Sequence, residues 1–148
     1  MNPSKTDIPT RLSNSTSEIR SILEASQHVL VVSHIDPDGD ALGTQLAFGS
    51  YLRSLGKDVY LVRDSEIPDK YRFLPGVDRI VPDGSVPADL KIDTGLVLEC
   101  PNLKRAGSAA QRLTNGVKIV NIDHHQDSSE YGDVNWIDTG ASSVGEMA

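Results

Sequence analysis

Residues 29–33, Val-Leu-Val-Val-Ser, constrain the fold more than any other stretch of the chain. The run is too short for a helix, contains no turn former and is rich in β-branched side chains. It has no polar side to turn toward water, so it predicts a strand covered on both faces, as in a parallel sheet. Similar runs follow at 58–62 (DVYLV), 96–98 (LVL) and 117–122 (VKIVNI). From Ala41 to Leu55, the residues Leu42, Leu46, Gly49, Leu52 and Leu55 fall roughly on one side of a helix, and Gly56 is placed to end it. Strand, loop, helix and strand in that order make a βαβ unit, right-handed by strong default. The expected class is therefore α/β with a mostly parallel sheet.

The remaining segments carry weaker signals. Residues 1 to 15 are polar and aperiodic and read as a frayed tail. Ser15 and Glu18 have capping-box spacing, and Ile19, Ile22 and Leu23 give a short helix ending near Ala25. Residues 64–90 are rich in Pro, Gly and Asp and read as loop with one helical turn, anchored by Tyr71, Phe73 and Leu74. A weak helix is expected from Ser108 to Leu113 and a turn at Asn115-Gly116. Ser143 and Glu146 repeat the capping-box spacing, so a helix is expected to start near Ser143. A single turn buries no face, which leads to the expectation that the sequence is part of a longer protein.

With 148 residues the chain suffices for one core. No apolar run approaches the roughly 18 residues of a membrane span, and the first 20 residues lack a signal-peptide core. The single cysteine, Cys100, rules out an internal disulfide and fits a reducing, cytoplasmic setting. A net charge of -7 disfavours gripping long nucleic acid through phosphate charge.

Polar clusters follow directly on three of the expected strands: His34, Asp36, Asp38 and Asp40 after the first, Glu99 after the third, and Asp123, His124 and His125 after the fourth. In open parallel sheets ligands bind at that edge, so the fold would bring the clusters together. Carboxylates and imidazoles at such density need a counter-charge. A His/carboxylate set without thiolates suits Mn²⁺, Fe²⁺, Co²⁺, Mg²⁺ or Zn²⁺. The ligand supply exceeds the need of one ion, which suggests two metals and, with them, phosphoester hydrolysis. Asp-Pro-Asp-Gly-Asp alone could equally be a surface turn. Asp36 and Asp123 could each be a turn former or a partner that fixes an imidazole tautomer. His28 and Cys100 read as structural, and Trp136 as packing.

His-Ile-Asp-Pro-Asp-Gly-Asp-Ala-Leu-Gly at 34–43, followed about 80 residues later by Asp-His-His at 123–125, resembles the DHH phosphoesterase superfamily, and within it the bacterial oligoribonuclease/pAp phosphatase branch. The resemblance covers about residues 17–148. It implies a three-layer α/β/α domain, incomplete at its C-terminal end, with two divalent ions, Mn²⁺ in this family. His34 and Asp38 would bind one ion, Asp40 the other, and His124 would be a further ligand. Glu99 stands where the family has a bridging Asp, and Asp93 is the runner-up. His125 would contact phosphate or the attacking water, Asp123 would orient it, and Arg105 would occupy the basic position that follows. The implied substrate is a short oligonucleotide or 3′-phosphoadenosine-5′-phosphate. A fourth-motif Asp and a C-terminal substrate-binding (DHHA1) domain would lie beyond Ala148, with ASSVGE (141–146) leading toward them. Family members often form homodimers.

Other readings compete. A cyclic-dinucleotide phosphodiesterase or a pyrophosphatase would share the motifs. Glu99 in place of Asp also fits a non-catalytic remnant. A calcium loop is disfavoured, because Asp-Pro-Asp-Gly-Asp lacks the twelfth-position carboxylate and His34 is a poor Ca²⁺ ligand.

Overall fold

The computed structural model describes residues 10–114 and 116–148, with side chains from Ser15 onward. Six strands form one sheet: β1 (His28–Val32), β2 (Asp58–Arg63), β3 (Ile80–Pro82), β4 (Thr94–Leu98), β5 (Lys118–Asp123) and β6 (Val134–Ile137). Their order is β3-β2-β1-β4-β5-β6, and every pairing is parallel. The chain winds outward from β1 in one direction, returns to the middle, and winds outward from β4 in the other. The switch point thus lies between β1 and β4, where a doubly wound sheet opens a crevice past its C-terminal ends.

Strand residues alternate between two cores. Val29 and Val31 of β1, Leu61 of β2, Leu96 and Leu98 of β4, and Val120 and Ile122 of β5 pack on one face. They meet Ile19 and Leu23 of α1 (Thr10–Ala25), Leu42 and Leu52 of α2 (Gly39–Ser54), and Val144 and Met147 of α3 (Val144–Met147). Leu30, Val32, Val62 and Val97 face the other way, against Ala106, Ala109 and Leu113. That second layer is a 3₁₀ segment, Leu103–Arg112, kinked at Gly107, together with loops. The expected three layers are present, and among the described residues the second helical layer holds 3₁₀ structure and no α-helix.

Several local expectations need correction. The helical backbone begins at Thr10, so Ser15 and Glu18 lie inside α1 and do not open it. Residues 1–9 of the expected tail, and Asn115 of the expected turn, lie outside the described residues. The expected weak helix at 108–113 belongs to the kinked 3₁₀ segment, because Gly107 sits at φ +64° beside Asp64, where a helix cannot continue. The 64–90 stretch contains β3 and three short 3₁₀ turns. Tyr71 and Leu74 pack on the core as expected, whereas Phe73 is 78% exposed. The edge strands β3 and β6 were not legible: each is short, and neither is an unbroken apolar run. Trp136, on β6, packs against the core. Leu55 closes α2 half-exposed and off its buried face.

Candidate metal centre

The loop after β1 carries the first cluster. His34 and Glu99 each lie two residues beyond the paired Val32 and Val97 of β1 and β4, on either side of the switch point. Asp123 ends β5, one residue beyond the Leu98–Ile122 pair. Asp38 caps α2, accepting the Ala41 N–H through Oδ1 at 2.9 Å, and Asp40 lies in that helix's first turn. Cap and first turn favour carboxylates there for helix stability alone. The same geometry leaves Asp38 Oδ2 directed at the crevice, 3.9 Å from His34 Nε2.

Glu99 stands at the centre. It is 1% exposed and adopts φ +60°, while its N–H continues the ladder to Ile122 O at 3.1 Å. A left-handed conformation in a residue with a Cβ costs on the order of 1 kcal/mol or more. The conformation ends β4 abruptly and brings the carboxylate back over the strand ends. Oε2 lies 3.7 Å from His34 Nε2, and Oε1 lies 2.7 Å from His124 Nε2. Each oxygen of one carboxylate therefore faces a different imidazole and, beyond it, a different aspartate: Asp38 beside His34, Asp40 at 3.9 Å from His124 Nε2.

The imidazoles are oriented from behind. His34 Nδ1 lies 2.6 Å from Ile35 O, and His124 Nδ1 lies 3.1 Å from Ala141 O. A carbonyl can only accept, so each Nδ1 carries a proton, and whenever a ring is neutral its Nε2 lone pair is directed at Glu99. Glu99 raises the His34 pKa above its ordinary value, with help from the Ile35 carbonyl and Asp38, against the opposing effect of burial. Burial works to lower the His124 pKa, but the Ala141 carbonyl and the carboxylates of Glu99, Asp40 and Asp123 outweigh it and raise it. For Asp40, burial opposes ionisation, but hydrogen bonds from Gly145 and Val144 N–H prevail and lower its pKa.

Asp123 is fully buried. Its Oδ1 accepts the His124 N–H at 2.9 Å and lies 2.7 Å from His125 Nδ1, which leaves His125 Nε2 for other contacts. The two rings lie 4.9 Å apart and tilted. Asp36 lies at φ +52°, exposed, with its N–H donated to Ser65 Oγ at 2.6 Å, so it shapes the turn. Arg105 is exposed beside this loop, and its carbonyl accepts the Ile35 N–H at 2.7 Å. Asp93 lies at the opposite end of the sheet, where Oδ2 accepts the N–H groups of Gln27 and His28. His28 pairs there with Asp58 at 3.2 Å. Cys100 is fully buried, and burial pushes its thiol pKa well above the ordinary range.

The donor set fits divalent cations. Ligand atoms of His34, Asp38 and Glu99 form one group within 4.8 Å of one another, and those of Glu99, His124 and His125 form a second. Glu99 Oε1 and Asp123 Oδ2 are buried without a hydrogen-bond partner. A buried carboxylate oxygen facing an imidazole lone pair is unfavourable until a proton or a cation stands between them. Glu99 belongs to both groups, which is the arrangement a bridging ligand needs. The sequence reading missed Val144, Gly145 and Ala141, whose backbone atoms hold Asp40 and His124. Backbone donors and acceptors leave no side-chain signature, and these are far from Asp40 in sequence.

Among the described residues no helix is long and apolar enough to cross a membrane. The chain is 32% identical over 121 residues to the bifunctional oligoribonuclease and PAP phosphatase NrnA of Bacillus subtilis (strain 168), a match covering 80% of this chain and 36% of that protein. It is 29% identical over 119 residues to the protein of the same name from Thermus thermophilus, covering 80% of this chain and 34% of the relative. The chain thus spans little more than a third of the curated relatives it matches. In fold it is similar to an exopolyphosphatase-related protein from Bacteroides fragilis, with a TM-score of 0.82 at 22% identity over 98% of this chain and 43% of the other. Residues 28–148 match the family described as "DHH family, N-terminal domain", and the chain therefore belongs to the DHH family.

Proposed function

We propose that this chain is the metal-binding part of a phosphoesterase that hydrolyses short oligoribonucleotides, 3′-phosphoadenosine-5′-phosphate, or both, with two divalent ions, Mn²⁺ in the first instance. The observation that carries the reading is Glu99, whose two oxygens each face a separate imidazole–aspartate pair. His34, Asp38 and Glu99 would hold one ion, and Glu99, Asp40 and His124 the other. Ions bound there would supply positive charge to phosphoryl oxygens and acidify a water.

The chain's own residues do the rest. The Ile35 and Ala141 carbonyls hold the two imidazoles with Nε2 forward. Asp123 holds His125 by Nδ1, so Nε2 can take a proton from, or donate one to, a group at the phosphate. Arg105, exposed at the rim, would pair with a phosphate oxygen. The names of the Bacillus and Thermus relatives support the substrate class. A net charge of -7 also favours small phosphorylated ligands over long polymers.

The test is metal content and nucleotide release in the protein that carries this chain, with Mn²⁺, a short oligoribonucleotide and 3′-phosphoadenosine-5′-phosphate. Asp38→Ala, Asp40→Ala and His124→Ala are each expected to lower metal content and abolish turnover. Near-native release by Asp40→Ala overturns the ligand assignment. Metal uptake by the parent protein without turnover of either substrate leaves a binding module in place of an enzyme.

A further inference from the structure

We infer that Val144 and Gly145 are positioning residues for Asp40, and that filling the Asp40 side of the centre and docking of the Ser142–Met147 turn are coupled. The inference rests on the metal-binding reading above. Asp40 Oδ2 accepts the Val144 N–H at 2.9 Å, and Oδ1 accepts the Gly145 N–H at 2.9 Å and the Thr44 hydroxyl at 3.1 Å. A carboxylate offers about four lone-pair directions. Three are taken, and the one left is on Oδ2, the oxygen 3.9 Å from His124 Nε2. The fork thus fixes the side-chain rotation and presents Asp40 as a ligand through one oxygen.

The donors are themselves held. Val144 and Met147 are buried in the core shared with α2. Ser143 Oγ accepts the Glu146 N–H at 3.0 Å, and the Glu146 carboxylate accepts the Ser142 N–H at 2.7 Å and its hydroxyl at 2.8 Å. The same segment orients His124 through Ala141 O. One stretch of backbone, 141–145, therefore sets both partners of the Asp40–His124 pair. Residue 145 must also be small: a Cβ there would lie 3.2 Å from Asp40 Oδ1 and 3.4 Å from Thr44 Oγ1, and the carboxylate would have to give way. If the docked turn preorganises a ligand, reciprocity requires that the bound ion strengthen the docking.

Mn²⁺ binding by calorimetry, thermal unfolding with Mn²⁺ or EDTA, and hydrogen exchange of the peptide spanning 140–148 test the inference. In the parent chain Mn²⁺ is expected to raise Tm and slow exchange of the Val144 and Gly145 amides. Gly145→Ala is expected to weaken Mn²⁺ binding about tenfold, in the range seen for residues that orient ligands. It is expected to shrink the Mn²⁺-induced rise in Tm while leaving the EDTA value nearly unchanged. Ser143→Ala, which loosens the turn without touching Asp40, is expected to act in the same direction more weakly. A purely structural role would lower the EDTA Tm and leave the Mn²⁺ increment intact, and that result overturns the inference. Unchanged exchange at 144–145 on adding Mn²⁺ also overturns it. No Mn²⁺ binding by the parent chain removes the metal reading itself, whereas parent-like binding by both variants removes this inference alone.

Discussion

Glu99 Oε1 lies 2.7 Å from His124 Nε2 without the alignment of a hydrogen bond, and that oxygen has no other partner. Because His124 Nδ1 donates to Ala141 O, the ring in its neutral form meets the carboxylate lone pair to lone pair. Glu99→Gln keeps the shape and supplies an amide donor to His124, but removes the charge a cation needs. Mn²⁺ affinity is expected to fall by about 3 kcal/mol, the cost of removing one partner of a buried charge pair, or more than ~100-fold. Without metal, at a pH high enough for both imidazoles to be neutral, Tm is expected to hold or rise, because a buried unpaired carboxylate is gone. Calorimetry and thermal unfolding in EDTA read the two effects separately. A variant with parent-like affinity would show that Glu99 does not bridge.

Asp93 and Asp38 give a paired comparison. Asp38 faces His34, whereas Asp93 accepts two backbone N–H groups at the N-terminal end of the sheet, away from His34 and His124. Asp93→Ala is expected to cost about 1–3 kcal/mol in urea unfolding, from two orphaned N–H donors, with Mn²⁺ affinity unchanged. Asp38→Ala is expected to lose Mn²⁺ affinity and about 1 kcal/mol of stability, the worth of its cap to Ala41 N–H. Loss of Mn²⁺ binding in Asp93→Ala would reverse the assignment.

The stability of the centre is expected to respond to pH with opposite signs in the two metal states. Glu99 beside His34 raises the imidazole pKa in the folded chain above its ordinary 6.5, and His124 is raised as well. A raised folded pKa means that the proton stabilises the fold. In EDTA that contribution is complete below pH 6.5 and is lost as pH climbs from there through the raised folded values. Metal binding needs neutral imidazole, so Mn²⁺ affinity rises over the same window. Asp40, whose pKa is lowered from 3.8, titrates well below it and does not blur the comparison. Tm measured between pH 6 and 9 should fall in EDTA and rise with sub-saturating Mn²⁺. Parallel slopes in the two conditions would contradict the convergence of His34, His124 and Glu99.

The central strands and the candidate site were legible in the sequence for one physical reason. A strand buried on both faces is mostly apolar, a polar exception such as Asn121 of β5 being held by hydrogen bonds, so the polar residue that ends the apolar run marks the sheet edge where ligands bind. Val29–Val32 running into His34, Leu98 into Glu99, and Ile122 into Asp123 each follow that rule. The edge strands β3 and β6 escape it, because one flank is open and their residues need not be apolar. The second layer was misread because Ala106, Ala109 and Leu113 suit a helix as well as a kinked 3₁₀ segment. At the kink Gly107 takes φ +64°, and the next N–H, that of Ser108, donates to Asp64 Oδ1 at 2.8 Å, a partner 44 residues away. Glu99 ranks above Asp93 in the sequence because the Leu96–Leu98 run leads into the first and follows the second, and β4 (Thr94–Leu98) keeps that order.

Gln45 supplies a prediction about what holds the motif loop to the sheet. It is 0% exposed on α2, and its Nε2 donates to Val31 O at 2.8 Å and Val62 O at 2.9 Å, on adjacent parallel strands. Its Oε1 accepts the Ser33 hydroxyl at 3.3 Å, one residue before His34. An amide in this position ties the helix bearing Asp40 to the ends of β1 and β2. Gln45→Leu nearly preserves volume but removes the amide's two bonds to buried carbonyls and its bond to the Ser33 hydroxyl. Each lost hydrogen bond costs about 0.5–1.5 kcal/mol, offset in part by the more favourable burial of leucine, so a net loss of about 2–3 kcal/mol is expected. Urea unfolding with an unchanged m-value would register it as a lower midpoint. Because the amide fixes the helix and touches no ligand atom, Mn²⁺ affinity in the folded variant should change less than about threefold, under 1 kcal/mol. A stability loss below about 0.5 kcal/mol, the range of ordinary surface substitutions, would mean that the two carbonyls find other partners.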